Sequence, residues 1–348
     1  MNQAQPVEEY LAKLFEIQPF VPDPKQKRQI ENDLSRFIVD QLSRKKFRRR
    51  RLSPQTKQAI SQKVEKSIQQ NIPIHLVVPF GGYKHFWNKS HPNPDWAELF
   101  NFKYLTDYVQ AILNTYNPGV IIEYISEDLI LNKMDNYPPE SLEEYSKNFT
   151  ELIQWYNQKT PQNLSFEFFR VKDKCNSEDL IKKVESMLPE RRKSFEKLTQ
   201  EQKDQELHRS QRALMIHGDK DLSKLNQDEL EQRIIDSRLI ELAYYYAESQ
   251  PEFLGEYLWE KNHICVCFSF GTTHDNDEFQ DLTLGSTYGS LVDHWIGRGI
   301  LVETKKGIRP RIVSKKQYQE FQDKLLVYEV SNRPDHQNFE KIELLPCC

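Results

Sequence analysis

The stretch IHLVVPF, residues 74–80, constrains the fold of this chain more than any other segment. A nearly unbroken apolar run of strand length belongs to a strand covered on both faces, because a strand with one wet face would alternate. The same kind of run recurs twice, as PGVIIEYIS (118–126) after a Pro-Gly break and as LSFEFFRV (164–171). Between them lie two helical patterns. DWAELFNFKYLTDYVQAILNTY (95–116) spaces Leu99, Phe102, Leu105, Val109 and Ile112 on a helical stripe, and residues 138–158 do the same with Leu142, Tyr145, Phe149, Leu152 and Ile153. This β-α-β-α-β order predicts an α/β layered core built on a mostly parallel sheet.

The flanks read differently. Ile30, Leu34, Phe37, Ile38 and Leu42 form one helical stripe. Ser53-Pro54 then supplies an N-cap and a first-turn proline for a second helix carrying Ile60, Val64 and Ile68. The expected organisation is an N-terminal helical arm over 1–72, an α/β domain over 73–330 with a helical insertion at about 177–250, and a C-terminal tail over 331–348. Inside the insertion, Pro189 is expected to break one helix into two. After residue 262 the short strands HICVCFSF, GILVE and RPRIVS are expected to complete the sheet.

A net charge of -4 argues neither for nucleic acid nor for a membrane partner. No stretch has the length and apolarity of a membrane span, and the first twenty residues lack a signal-like apolar run. Five scattered cysteines form no disulfide framework, so a reducing, cytoplasmic location is expected. The charge is uneven, however. Arg44–Arg51 reads RKKFRRRR, seven cations in eight residues, which is either a solvated helix end or a contact for an anionic protein or nucleic acid.

Several stretches carry candidate chemistry. VVPFGGYKHFWNKSHP (77–92) follows the first strand, where open parallel sheets bind ligands. Its glycines allow close backbone approach, and Lys84, His85 and Lys89 could contact an anion. It lacks the spacing of a Walker A loop or a dinucleotide fingerprint. The alternative is a turn with Phe86 and Trp87 packed beneath it. At the end of the second strand, Glu123, Ser126, Glu127 and Asp128 could orient an amine or act as a base, or could form a turn and helix cap. RALMIHGD (212–219) offers Arg212 and a His217–Asp219 pair, or else a helix end capped by Gly218.

His263, Cys265 and Cys267 share a strand face, but side chains two residues apart stand about 7 Å from each other, far for a shared zinc. No metal is therefore expected, and Ser269 and His274 beyond that strand are better site candidates. Six of the eleven glycines fall between Gly271 and Gly307. There Gly285–Ser290 reads as a small-residue turn opening a helix over LVDHWI, a seat for an anion that Ser286, His294 and Arg298 would complete. The alternative is a tight-turn region with surface arginines.

Residues 76–131 resemble the N-terminal region of the isocyanide synthase family (pyoverdine/dityrosine biosynthesis proteins). The resemblance rests on VVPFGGYKH, PDWAEL, Leu105 and YNPGVIIEYISED. It implies a Rossmann-like core and a transferase- or lyase-type biosynthetic enzyme that condenses the amino group of an aromatic amino acid with ribulose 5-phosphate to make an isonitrile. No metal or cofactor is called for. On that reading the partner is a small anionic substrate, Lys84 holds its phosphate or carboxylate, and Glu123 or Asp128 handles the proton. The family's Ser-Asp-Gly after the second strand is Ser126-Glu127-Asp128 here, which leaves open a catalytically inactive relative. A binding module acting through Arg44–Arg51 is the other alternative.

Overall fold

The computed structural model describes residues 5–47, 52–81, 84, 93–126, 129, 138–217, 222, 224–257, 262–268, 282–290 and 292–347, without the side chains of 5 and 209–217. Its centre is a five-stranded, all-parallel sheet of β1 (Ile74–Phe80), β2 (Val120–Ser126), β3 (Leu164–Arg170), β4 (His263–Phe268) and β5 (Leu282–Leu284), in the order β3-β2-β1-β4-β5. Chain order runs outward from β1 to β3, then returns past β1 to β4. The strand order thus reverses between β1 and β4, which is where α/β sheets of this kind open a crevice.

Strand alternation sorts the apolar runs onto two faces. Ile74, Leu76, Val78, Phe80 and Tyr124 face α5 (Trp96–Leu113) and α6 (Pro139–Asn157) in the larger core cluster. Val77, Ile125 and Phe169 face the other way, against α7 (Ser177–Glu196) and α9 (Gln227–Glu248). Between those two helices runs α8 (Gln200–His217). The stretch expected as an insertion is therefore the crossover from β3 to β4, and it covers a sheet face. Gly119 shows why strand β2 begins at a Pro-Gly break: its φ is +74°, and a Cβ there would lie 1.8 Å from the Asn163 carbonyl oxygen.

Four other expectations are corrected. The N-terminal helices α1 (Gln5–Phe15), α2 (Pro24–Asn32), α3 (Leu34–Leu42) and α4 (Pro54–Gln70) do not form a separate arm. Val7, Leu11, Phe37, Leu42, Ile60 and Val64 are buried in the same cluster as the sheet. The Ser53 cap does form, its Oγ accepting the Thr56 N–H at 3.0 Å. Next, α7 runs through Pro189, and the break comes after Glu196. Pro189 is exposed, so its ring meets no buried neighbour there.

Of the three late strands, HICVCF joins the parallel sheet as β4, but GILVE and RPRIVS do not. β6 (Arg298–Thr304), β7 (Gly307–Val313), β8 (Leu326–Glu329) and β9 (Lys341–Leu345) form a second sheet in the order β7-β6-β9-β8, with α10 (Lys315–Phe321) between β7 and β8. Nor is 331–348 a tail. Strand β9 lies between β6 and β8, pairing Leu301 with Leu344 and Tyr328 with Ile342.

Helix α5 joins these layers. All its residues except Asp107 and Gln110 are buried, including Glu98, Asn101, Lys103 and Thr106. The parallel sheet, the N-terminal helices and the second sheet surround it. A helix buried all round must satisfy its polar side chains internally. Asn101 does so by donating to Thr287 Oγ1 at 2.7 Å and accepting from the Tyr124 hydroxyl at 2.5 Å.

Candidate active site at the switch point

The pairing of β1 with β4 covers only His75–Val77 against His263–Cys265. Both strands continue three residues further, to Phe80 and Phe268, without pairing with each other. The imidazole of His294 lies at the ends of this opened pair. Its ring stacks on Phe80 at 5.6 Å and meets Tyr124 at 5.9 Å and Phe268 at 6.3 Å edge-on. His294 is almost fully buried, and its Nε2 has no hydrogen-bond partner. The same is true of Ser126 Oγ, on the last residue of β2, which pairs with Phe80.

Beside this imidazole lies a buried charge cluster. Lys84, from the segment after β1, donates to Glu98 Oε2 at 2.6 Å and to the His294 carbonyl at 3.1 Å, and its ammonium stands 2.9 Å from Asp95 Oδ1. Asp95 caps α5 and also accepts the N–H groups of Ala97 (2.7 Å) and Gly299 (3.1 Å). Glu98 accepts the Asp95 N–H at 2.8 Å and the Tyr145 hydroxyl at 3.1 Å. The PDWAEL segment is thus a capping box whose two carboxylates also clasp a lysine.

Electrostatics follow from burial. Glu98 is pushed up to about 7: loss of water outweighs the attraction of Lys84, and Asp95 adds repulsion. His294 is driven well below its ordinary range by burial and then by the Lys84 charge, so its ring is neutral. Burial also lifts the Tyr124 and Tyr145 hydroxyls, with Glu98 adding to both shifts.

On the outer side of the cluster, a cavity of about 520 Å³ opens between the start of α5 and the second sheet. Lys84, Asp95, Arg298, Asn338 and Glu343 help line it. Arg298 donates through Nε to Glu343 at 2.8 Å and sits 5.2 Å from the Tyr318 ring centre. The cavity thus brings together Lys84 and Arg298, which are over two hundred residues apart.

The remaining candidates fall elsewhere. Glu123 does not share the carboxyl rim. It sits mid-strand on the opposite face, where alternation sends it toward His75, whose Nε2 lies 3.0 Å from Glu123 Oε2, and toward the hydroxyl of Tyr257. Burial alone would raise this carboxyl, but those two hydrogen bonds hold it below its usual range. Ser286 opens a single 3-10 turn (Thr287–Gly289), not a helix. Tyr288 and Gly289 have φ of 49° and 74°, and two left-handed residues cannot continue a right-handed helix. Among the described residues, 292–297 form bends and turns, so the helix expected over LVDHWI is not seen there. His85, Lys89, Asp128, Ser269 and His274 lie outside the described residues, as do the side chains of Arg212 and His217 and the loop residues Phe86 and Trp87.

Arg44 of the basic run turns inward. Its guanidinium donates to the carbonyls of Gln41, Asp107 and Tyr108 and covers the Phe47 ring at 4.7 Å. Lys45 and Lys46 are exposed, while residues 48–51 lie outside the described set. Among the described residues no helix is long and apolar enough to cross a membrane.

Glu98 and Asp95 were missed in the sequence as site residues. Their signal was present as an Asp-x-x-Glu capping box, but nothing local says that both acids face a lysine from another loop.

No family model matches the chain, and no curated protein matches it significantly. Among solved structures, PvcA from Pseudomonas aeruginosa superposes with a TM-score of 0.61 over 90% of this chain and 100% of its own, at 16% identity. The chain has the fold of PvcA. A tryptophanyl-tRNA synthetase homolog from Entamoeba histolytica aligns at a TM-score of 0.21 and 11% identity, over 75% of this chain and 54% of its own, and carries no weight.

Proposed function

We propose that the chain is an isocyanide-synthase-like enzyme. It would act on a small anionic substrate, an amino acid, a phosphosugar or both, by amine–carbonyl condensation at the β1–β4 crevice. The observation that supports this most is the Lys84–Glu98–Asp95 cluster, buried at the carboxyl ends of the strands flanking the switch point, on a fold shared with PvcA.

Condensation of an amine with a carbonyl needs a group that gives and takes a proton near neutrality. Glu98, pushed up to about 7 by burial, has that property, and its bonds to Lys84 and Tyr145 connect it to the crevice. Arg298, in the adjoining cavity, supplies a cation suited to a carboxylate or phosphate. His85, Lys89, Asp128, Arg212, His217, Ser269 and His274 stand as proposed contacts of the same substrate.

The test is direct. The purified protein, given tyrosine or tryptophan with ribulose 5-phosphate, should form an isonitrile detectable by mass spectrometry, and Arg298→Ala should weaken use of the sugar phosphate. Saturable binding of both substrates without product would favour the inactive relative. Absence of both product and binding would overturn the proposal.

A further inference from the structure

We infer that His294, through Nε2 and together with the Ser126 hydroxyl, hydrogen-bonds an uncharged oxygen of the ligand, and that Lys84 positions His294 and is not itself an anion contact. The inference rests on the crevice being the substrate site and specifies which end of the substrate enters it.

Three observations converge. First, Ser126 Oγ and His294 Nε2 are both buried and without a hydrogen-bond partner. Buried polar atoms are nearly always paired, so two orphans at one rim mark a place where a ligand supplies the partner. They share that rim. Ser126 pairs in register with Phe80, and the His294 ring stacks on Phe80 and meets Tyr124, two residues before Ser126 on the same strand face.

Second, the charge of Lys84 is already committed. An ammonium has three protons, and three acceptors surround this one: Glu98 Oε2, Asp95 Oδ1 and the His294 carbonyl. A phosphate reaching it would have to displace one of those bonds.

Third, the bond from Lys84 to the His294 carbonyl fixes the turn that carries the imidazole, while Phe80, Tyr124 and Trp295 wall the ring. The same lysine helps keep that ring uncharged. A neutral imidazole and a hydroxyl, set among aromatic rings, suit a hydroxyl or carbonyl oxygen. They do not neutralise an anion. The anionic end of the substrate is left to the cavity side, where Arg298 lies.

The probe is D-ribulose, an uncharged keto sugar, with inorganic phosphate as its counterpart, titrated into full-length protein labelled with 15N-histidine. D-Ribulose is expected to shift the His294 Nε2 resonance, identified by its loss in His294→Gln, whereas phosphate leaves it in place. His294→Phe preserves the ring packing and should weaken D-ribulose binding at least tenfold. His294→Gln, which keeps a donor and an acceptor, should recover part of that loss. Lys84→Met alone strands a buried carboxylate, so it is paired with Glu98→Leu. In that double variant the imidazole should titrate at a higher pH than in the wild type. Unchanged D-ribulose binding by His294→Phe, or a phosphate-induced shift of Nε2 as large as that from the sugar, would overturn the inference. The two readings fail separately. Absence of isonitrile with the D-ribulose shift intact removes the proposed reaction and leaves this assignment. Isonitrile formation at the wild-type rate by His294→Phe does the reverse.

Discussion

Lys84, Glu98 and Asp95 put one positive and two acidic groups in a place that water barely reaches. Removing charges from water is costly, and here the cost surfaces as the raised pKa of Glu98. The sign of its effect on stability is fixed. A folded-state value of about 7 against an ordinary 4.5 means that the native state holds a proton the unfolded chain releases. The associated stability is fully present below about 4.5 and is lost as pH rises through about 7. Glutamine mimics the protonated acid at every pH. Glu98→Gln should therefore compare better with the wild type at about pH 8 than at about pH 5, read as urea midpoints at the two values. An equal deficit at both would show that Glu98 is ordinary. His294 acts in the opposite sense, its contribution being present above its ordinary 6.5 and lost as pH falls.

At the scale of elements, two contacts make specific demands. Strand β6 approaches the first turn of α5 so closely that a Cβ on Gly299 would lie 2.2 Å from the Ala97 nitrogen and 2.4 Å from the Trp96 carbonyl carbon. Those are backbone atoms and cannot swing aside. Gly299→Ala should cost about 1–3 kcal/mol or more in chemical denaturation and should weaken substrate binding, because it pushes β6 away from Asp95. Helix α7 presents the opposite case. Pro189 lies inside it on an exposed face, where proline forfeits a helical hydrogen bond for no buried contact. Pro189→Ala should stabilise the protein by about 1–3 kcal/mol, measured by the same denaturation, and leave ligand binding unchanged.

On the scale of the molecule, the second sheet and the N-terminal helices are joined to the parallel sheet through α5, and the chain's last strand lies inside the second sheet. A chain ended after Val330 loses β9, leaving β6 and β8 with bare edges and uncovering Leu301. Such a truncation should fail to fold cooperatively or should aggregate, seen as loss of a single unfolding transition. A dispensable tail would leave the transition in place.

What the sequence determined by itself is the parallel core. IHLVVPF, VIIEYIS and LSFEFFR are read from their own apolar runs, and the helices between them from theirs, because burial on both faces or on one stripe imprints a local pattern. Ser53 as a helix start is equally local. Strand order is not: HICVCF and GILVE look alike, yet one enters the parallel sheet and the other the second sheet. Lys84 and His294 were legible as candidates, but their partners were not, since Glu98 reads locally as a cap residue and becomes a charge partner only when β1 and α5 pack. The same limit applies to Glu123, expected at the end of its strand but found in the middle, on the opposite face beside His75. Periodicity encodes which residues leave water. Which of them meet, and so where a proton or a ligand oxygen can rest, is decided only by contacts between residues far apart in the chain.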